Sequence, residues 1–483
     1  MTDTSSSWLT HGARTATIDD AGAVLRAWRT TSDRSQVEVA AALGITQQNL
    51  SLLEHGRRPV SIELRRRIVE ELGIAAEDLG LSSGQAGQLV SRDDVSSQIA
   101  ASRMRWRAER RWLNQHRAEL ARLATQLYPA QHRVGPTPLI ADPDWLPPVP
   151  VNLGSLRLEL DEGPQTVQVD GSEPQTERVR PLRSNTQRFE RYTSAIRHLS
   201  PPRLLESRPS YRLLDAAVGA GRLRFGLGAY FDKLDVSEAL SHELAAACMA
   251  LGPDADVAPG QLAGRLPFRD LIGNPFDCRR RSVIPGVATL TIRVRRYPAA
   301  PTVLLHWRDP AKVANTAGIY HVIPAGEFQP SSVALWDRHN DFDLWRNIVR
   351  EYSEELLGTP EHDGTRSQPI DYDAWPLYRD LRQARNDGEL AVFFLGMGAC
   401  PLSLSAAILT VVVISDDVFT ALFGAMVRVN EEGELVAVGG GTPADGVPFT
   451  ESTVTRLLTS EPMTSSGAAC LALAWQHRAR LGL

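Results

Sequence analysis

The chain has 483 residues, and 43% of them are hydrophobic, which is enough for several domains with buried cores. The formal net charge is −5, which excludes a protein that coats polyanions through overall positive charge. The four cysteines form no C-x-x-C pair, so they indicate neither a disulfide framework nor a zinc site, and they fit a reducing compartment.

The first part of the chain carries no recognisable targeting signal. Residues 1–18 are rich in serine and threonine and predict a disordered tail, without the basic start and apolar core of a signal peptide. The most apolar run of the whole sequence, Leu404–Ile414, is too short to cross a bilayer. We therefore expect a cytoplasmic protein with no membrane partner.

A helical domain is predicted over residues 19–81, and its most informative stretch has the pattern of two short helices joined by a tight turn. Ser35 followed by Glu38 forms a capping box at the first helix start, and Gly44 suits the left-handed turn that ends this helix. Thr46 is a suitable N-cap for the second helix, whose leucines face inward. The pattern predicts a helix-turn-helix, in which the second helix enters the major groove of DNA.

This arrangement resembles the Cro/lambda-repressor-like, or XRE, family of DNA-binding domains. The resemblance implies that two glutamines at the start of the second helix reach base edges, where an amide can bond bidentately to adenine. It also implies that Gln36, at the start of the first helix, contacts phosphate and steadies Gln47. Arg57 and Arg58, in the loop after the second helix, are implied to contact the DNA backbone. The implied DNA-binding residues are Gln36, Thr46, Gln47, Gln48, Asn49, Ser51, Arg57 and Arg58. The alternative is an ordinary helical hairpin whose glutamines are only solvated.

A linker helix is predicted over residues 95–128, where apolar residues recur at seven-residue spacing. The recurring residues are Ile99, Trp106, Leu113, Leu120 and Leu127. A second apolar row is incomplete, so the helix is interpreted either as a packing arm or as a dimerisation arm.

The rest of the chain is divided by composition into three parts. Residues 129–186 predict a Pro-rich and polar linker, and residues 187–281 predict a mainly helical region in which Leu213–Leu223 forms a glycine-mediated transition from helix to turn. Residues 282–483 predict a domain of sheet and helix. Its predicted strands are Ala288–Arg295, Thr302–Trp307, Ala391–Leu395 and Ala407–Ile414.

One helix of this last domain, Asp341–Gly358, combines an apolar stripe with three clustered carboxylates. Glu351, Glu354 and Glu355 are spaced so that they share one face, where they repel one another. Solvent, nearby arginines or a divalent cation could offset this repulsion.

The same helix resembles the second half of the Nudix box. Residues 350–355 match its R-E-U-x-E-E pattern, and Ile319–Gln329 resembles the strand and glycine that lead into the box, whereas Trp336 and Phe342 replace its first Gly and Glu. In active Nudix hydrolases these glutamates hold magnesium during hydrolysis of a diphosphate. The resemblance therefore implies a Nudix-like fold and Mg²⁺ ligands at Glu351, Glu354 and Glu355. A solvated surface helix is the alternative.

The sequence thus predicts a multidomain protein with an all-α helix-turn-helix N-terminal domain, a long linker helix and an α/β C-terminal domain of Nudix-like α+β type. The leading hypothesis is a transcriptional regulator, associated with the nucleoid, that binds double-stranded DNA as a homodimer. Its C-terminal region would sense a ligand, such as a nucleoside-diphosphate derivative, or mediate assembly. A Nudix hydrolase tethered to DNA and a scaffold without ligand are the alternatives, so enzymatic activity stays open.

Overall fold

The computed structural model describes residues 21–32, 34–75, 78–81, 90–202, 205–295, 299–308, 318–360, 368–424, 433–435 and 446–483. The chain divides into two compact units, residues 1–102 and 103–483. The tail predicted over residues 1–18 lies outside the described residues. Of the helices in the described part of the chain, none has the length and apolar character that crossing a membrane requires.

The first unit is helical, and its second and third helices begin at the side-chain caps that the sequence predicts. The first four helices are α1 (Ala21–Thr31), α2 (Gln36–Ala42), α3 (Gln47–Glu54) and α4 (Ile62–Leu72). Ser35 and Glu38 form the predicted capping box of α2, and Thr46 caps α3 by accepting a hydrogen bond from the Asn49 backbone N–H. Gly44 has φ +63°, the left-handed turn that separates α2 from α3. The predicted helix-turn-helix geometry is confirmed.

Helices α1 and α3 approach each other closely at Gly22. A Cβ atom built on this residue would lie 2.0 Å from the carbonyl oxygen of Leu53, which is backbone and cannot swing aside. Leu25, Leu43 and Leu50 are fully buried in the same core. The absence of a side chain at Gly22 therefore sets how closely α1 packs on α3.

We expect Gly22→Ala to destabilise the first unit by about 1–3 kcal/mol, because the added methyl group overpacks this crossing. Hydrogen exchange of the amides in α1 to α4, measured on the full chain, would report the change. Ala23→Ser is the matched control, since Ala23 lies in the same helix but is exposed, and its effect should stay within about 0.5 kcal/mol. Equal exchange rates in the two variants would contradict the close packing.

The predicted linker helix over residues 95–128 is two helices in the structure. Helix α5 (Val90–Gln115) ends before His116, and α6 (Arg117–Thr125) follows it. His116 has φ −116° and ψ +18°, which is outside the helical range and interrupts the heptad row. Trp106, Leu113 and Leu120 of this row are buried within the second unit. This part of the row therefore packs inside the chain.

The second unit contains the sheets and the remaining helices. The strands are β1 (Val151–Asn152), β2 (Arg157–Leu160), β3 (Leu182–Ser184), β4 (Gln187–Arg188), β5 (Pro209–Ala217), β6 (Arg222–Ala229), β7 (Gly286–Val294), β8 (Thr302–Val303), β9 (Leu305–Arg308), β10 (Ile319–Val322), β11 (Ala325–Glu327), β12 (Leu390–Ala399), β13 (Ala406–Ser415), β14 (Gly433–Leu435) and β15 (Val447–Pro448). The helices are α7 (Tyr192–Leu199), α8 (Tyr230–Leu251), α9 (Pro267–Ile272), α10 (Asp337–Asn340), α11 (Leu344–Leu357), α12 (Pro376–Asn386), α13 (Asp416–Phe423), α14 (Glu451–Ser460) and α15 (Ser465–Gln476).

A mixed sheet with the order β1-β12-β13-β7-β8-β15 forms the centre of this unit, and β11 also pairs with β7. Strands β13 and β7 are parallel, whereas the other pairs are antiparallel. Ile408 and Val412 of β13 enter the core with α11 and α13, and Leu409 and Val411 enter the core with α15. Because helices cover both faces, the strand carries apolar residues on both of its sides, with the polar Thr410 buried among them, and this nearly continuous apolar run is why the sequence revealed it.

Smaller sheets correct two of the sequence predictions. Residues 129–186 are not simply a linker, because β1 pairs with β12, and β2 pairs with β6 in the three-stranded sheet β2-β6-β5. Residues 187–281 are not mainly helical, because β5 and β6 form an antiparallel hairpin that contains Leu213–Leu223. Strands of two to four residues show too little alternation to be recognised, and the alanines of Leu213–Leu223 favour helix over strand.

The helix predicted over Asp341–Gly358 is confirmed as α11. Asp343 caps its start, and Gly358 ends it with φ +64°. The predicted apolar stripe, which includes Trp345, Ile348 and Tyr352, is buried. This orientation places the three glutamates on the more accessible side of the helix.

Candidate functional site

The N-terminal end of α3 presents polar side chains to solvent. Gln47 and Gln48 are both exposed, while Asn49 and Ser51 are half-buried. The hydroxyl of Thr46 accepts a hydrogen bond from the Asn49 backbone N–H over 3.2 Å, which fixes where α3 begins. The predicted base-reading pair therefore projects outward from the first turn of a helix.

A buried carboxylate behind this surface connects three elements of the unit. Glu54 accepts hydrogen bonds from Arg29 Nε over 2.6 Å and Nη2 over 3.0 Å, and from Gln36 Nε2 over 2.8 Å. Burial opposes ionisation of Glu54, but the bonds from Arg29 and Gln36 outweigh it and lower the pKa of this carboxyl. Glu54 thus holds Gln36 in place, and among the described hydrogen bonds Gln36 has none to Gln47, the contact that the sequence predicted.

The loop after α3 supplies positive charge beside the exposed glutamines. Arg57 and Arg58 are exposed, and Arg58 Nη1 donates to Asn49 Oδ1 over 2.9 Å. The bond uses the amide oxygen of Asn49 and leaves its amide hydrogens as donors. By contrast, Arg65 is buried and donates to the carbonyl oxygens of Val60 and Leu79. Arg65 therefore has a structural role, whereas Arg57 and Arg58 are free of the core and can contact phosphate.

The predicted metal-binding glutamates lie in the second unit, on the wall of a cavity of about 1120 Å³. Glu355 accepts a hydrogen bond from the Ala325 backbone N–H over 3.1 Å. A Cβ atom on Gly326 would lie 1.9 Å from Glu351 Oε1, so the lack of a side chain there lets this carboxylate approach β11. Arg350 points elsewhere and donates to the Gln329 carbonyl oxygen. Among the described residues, no three His, Cys, Asp or Glu side chains are arranged to hold a metal ion, so the magnesium site stays a prediction.

Two ion pairs on the same cavity wall were not recognised from the sequence. Lys233 Nζ donates to Glu327 Oε1 over 2.5 Å, and Arg117 Nη2 donates to Glu238 Oε2 over 2.9 Å. Lys233 is one of only two lysines in the chain, which was the one available signal. No local sequence pattern predicts these two pairings, because the partners are 94 and 121 residues apart in the sequence.

Comparison with known proteins identifies the class of the first unit. The family model described as a helix-turn-helix domain matches residues 20–81. No curated protein matches the chain. The protein therefore carries an N-terminal helix-turn-helix domain of the DNA-binding kind, followed by a region of mixed helix and sheet.

Proposed function

We propose that the protein is a sequence-specific transcriptional regulator whose N-terminal domain is of the XRE type. The observation that carries this proposal is the exposed pair Gln47 and Gln48 on the first turn of α3, inside a helix-turn-helix domain. A glutamine amide can donate to and accept from one base edge at once, which suits adenine in the major groove. Exposure of both side chains leaves them available for this contact.

The surrounding polar residues would position α3 on the duplex. Arg57 and Arg58 would donate hydrogen bonds to DNA phosphates. The bond from Gln36 to Glu54 would hold Gln36 in position for a contact with the DNA backbone. A homodimer would place two copies of α3 on half-sites about 34 Å apart, one turn of the double helix. Operators of this protein should then be two-fold symmetric.

We expect Gln48→Ala to weaken binding to the preferred duplex by about 1–3 kcal/mol and to relax the preference at one base pair. The preferred duplex would be selected from a random pool with the wild-type full chain, and affinities would be measured at several salt concentrations. Equal losses on selected and random duplexes would contradict base reading by Gln48.

Arg57→Ala is the matched control for this experiment. Loss of a phosphate contact should weaken binding to all sequences alike and lower the slope of log affinity against log salt by about one. The two variants separate base reading from backbone binding on the same surface.

For the second unit, we propose that it senses a small ligand and thereby changes operator affinity. The cavity of about 1120 Å³, lined by charged residues and hydroxyls, supports this role over one in assembly alone. A nucleoside-diphosphate derivative is the ligand that the Nudix resemblance implies. The change in operator affinity can be no larger than the difference in ligand affinity between the two states of the regulator.

A Nudix-type hydrolase tethered to DNA is the second candidate. It is favoured by the close approach of Glu351 to Gly326 on the wall of the cavity. Metal-dependent hydrolysis of ADP-ribose that is lost in Glu354→Gln would establish this alternative, whereas ligand binding without turnover would favour the sensor.

A further inference from the structure

Two arginines share one buried carboxylate in the second unit. Glu238 of α8 accepts hydrogen bonds from Arg110 Nη1 over 2.7 Å and from Arg117 Nη2 over 2.9 and 3.1 Å. The exposed fractions of the three side chains are 8%, 5% and 10% in that order. Within this cluster two guanidinium groups therefore share one carboxylate. Glu109, which precedes Arg110 in α5, is bonded to His242 Nε2 over 2.8 Å.

Only part of this cluster faces the cavity. Arg117 and Glu238 line the cavity wall, whereas Arg110 lies behind them on α5. Arg110 also donates to the hydroxyl of Tyr192 over 3.3 Å, which ties α5 to α7. Arg117 thus lines the cavity and is linked through one carboxylate to a helix outside it.

Hydrogen-bond donors from two other elements line the same cavity. Ser237 of α8 and Ser465 at the N-terminus of α15 are more than nine-tenths buried, and neither hydroxyl has a hydrogen-bond partner among the described residues. Arg122 of α6 donates to the Glu461 carbonyl oxygen over 3.0 Å, so the helix that carries Arg117 runs beside the segment leading into α15. The first backbone N–H groups of α15 also attract negative charge.

The remaining charges of the cavity restrict where an anion can bind. Lys233 is neutralised by Glu327, and Glu351, Glu354 and Glu355 repel an anion from their part of the wall. Arg117, which shares its carboxylate with Arg110, and the two serine hydroxyls therefore define the favourable end.

We propose that Arg117 binds an oxyanion, a phosphate or carboxylate group of the effector, and that α5 responds to this binding through Glu238 and Arg110. The proposal rests on the proposed sensor function of the second unit. An oxyanion beside Ser465 takes hydrogen bonds from Arg117 that Glu238 accepts in its absence. Glu238 then depends on Arg110 alone, so the position of α5 against α8 changes with occupancy.

The experiment uses the full chain with inorganic phosphate and acetate as probes, and sodium chloride at equal ionic strength as the reference. Titration calorimetry would measure affinity, and hydrogen exchange would follow the amides of residues 103–115. Arg117→Gln should weaken binding of the preferred probe roughly 10- to 100-fold, because a charge-assisted hydrogen-bond pair is lost. It should also abolish the change in exchange.

Matched variants keep the test decisive. Arg279→Gln removes an exposed arginine of the second unit that does not line the cavity, and it should bind the probe as the wild type does. Arg117→Lys should bind with intermediate affinity, and Ser465→Ala should weaken binding even if Arg117→Gln fails to fold. Unchanged affinity in Ser465→Ala and Arg117→Lys, or binding without any change in exchange over residues 103–115, would overturn the proposal.

Failure of this inference can be told apart from failure of the regulator proposal. If selected DNA is bound in a Gln48-dependent manner but neither probe binds at Arg117, only the oxyanion site is refuted. If a probe binds at Arg117 but no DNA sequence is preferred, the oxyanion site stands and the regulator proposal is refuted.

Discussion

Glu238→Gln should lower the free energy of unfolding of the second unit by about 3–5 kcal/mol at pH 7. Glutamine has nearly the shape of glutamate but no charge, so two buried guanidiniums, Arg110 and Arg117, would lose their counterion. Urea denaturation followed by tryptophan fluorescence would measure the change, because eight of the ten tryptophans lie within residues 103–483.

The pH dependence of this difference follows from the ionisation of Glu238. Burial opposes ionisation, but Arg117 and Arg110 together outweigh it and lower the pKa of the Glu238 carboxyl to about 2. A carboxyl with a lowered pKa contributes stability that is fully present above its ordinary value near 4.5 and is lost as the pH falls towards 2. The wild type and Glu238→Gln should therefore differ by a constant amount above pH 5 and converge below it.

The control for Glu238 is Glu159→Gln. Glu159 also lies near two arginines, Arg157 at 3.1 Å and Arg222 at 3.9 Å, but Glu159 and Arg222 are only half-buried and Arg157 is exposed. Removing the Glu159 charge should lower the free energy of unfolding by less than about 1 kcal/mol. A difference no larger for Glu238→Gln than for Glu159→Gln would show that the buried cluster contributes little.

Glu54→Ala should have the second large effect, a loss of about 3 kcal/mol in the first unit together with weaker binding to DNA. The Glu54 side chain is fully buried, and its removal leaves the mostly buried guanidinium of Arg29 without its counterion. Gln36 loses the bond that orients it at the start of α2. For a domain of this size, 3 kcal/mol is a large share of the total stability.

Hydrogen exchange over α1 to α4 and affinity for the selected duplex would measure both effects of Glu54→Ala. Because Arg29 and Gln36 lower the pKa of Glu54 below its ordinary value near 4.5, its contribution is fully present above that value and disappears as the pH falls through the lowered pKa. Glu70→Ala, which removes an exposed carboxylate from α4, should change stability by less than about 0.5 kcal/mol. Wild-type exchange and affinity in Glu54→Ala would contradict the assigned role.

The DNA-binding surface was predictable because its signals are local. Ser35 and Glu38 are three residues apart, and Gly44 and Thr46 act on the backbone that directly surrounds them. The hydrogen bonds behind this surface were not predictable, since Glu54 bonds to Arg29, 25 residues away in the sequence, and to Gln36, 18 residues away. A separation of that length does not predict a contact, because the two residues meet only when the helices pack against each other.

The amino-acid sequence by itself determined where the helix-turn-helix lies, which side chains its recognition helix exposes, and that apolar strands follow in the second half. These features depend on contacts within a few residues or on patterns along one element. Tertiary structure alone decided that short strands from residues 129–281 join the second unit, and that Arg110, Arg117 and Glu238 share one cluster beside the cavity. The physical reason is that burial and charge pairing are properties of neighbours in space, and chain folding brings Arg110 to Glu238 across 128 positions of the sequence.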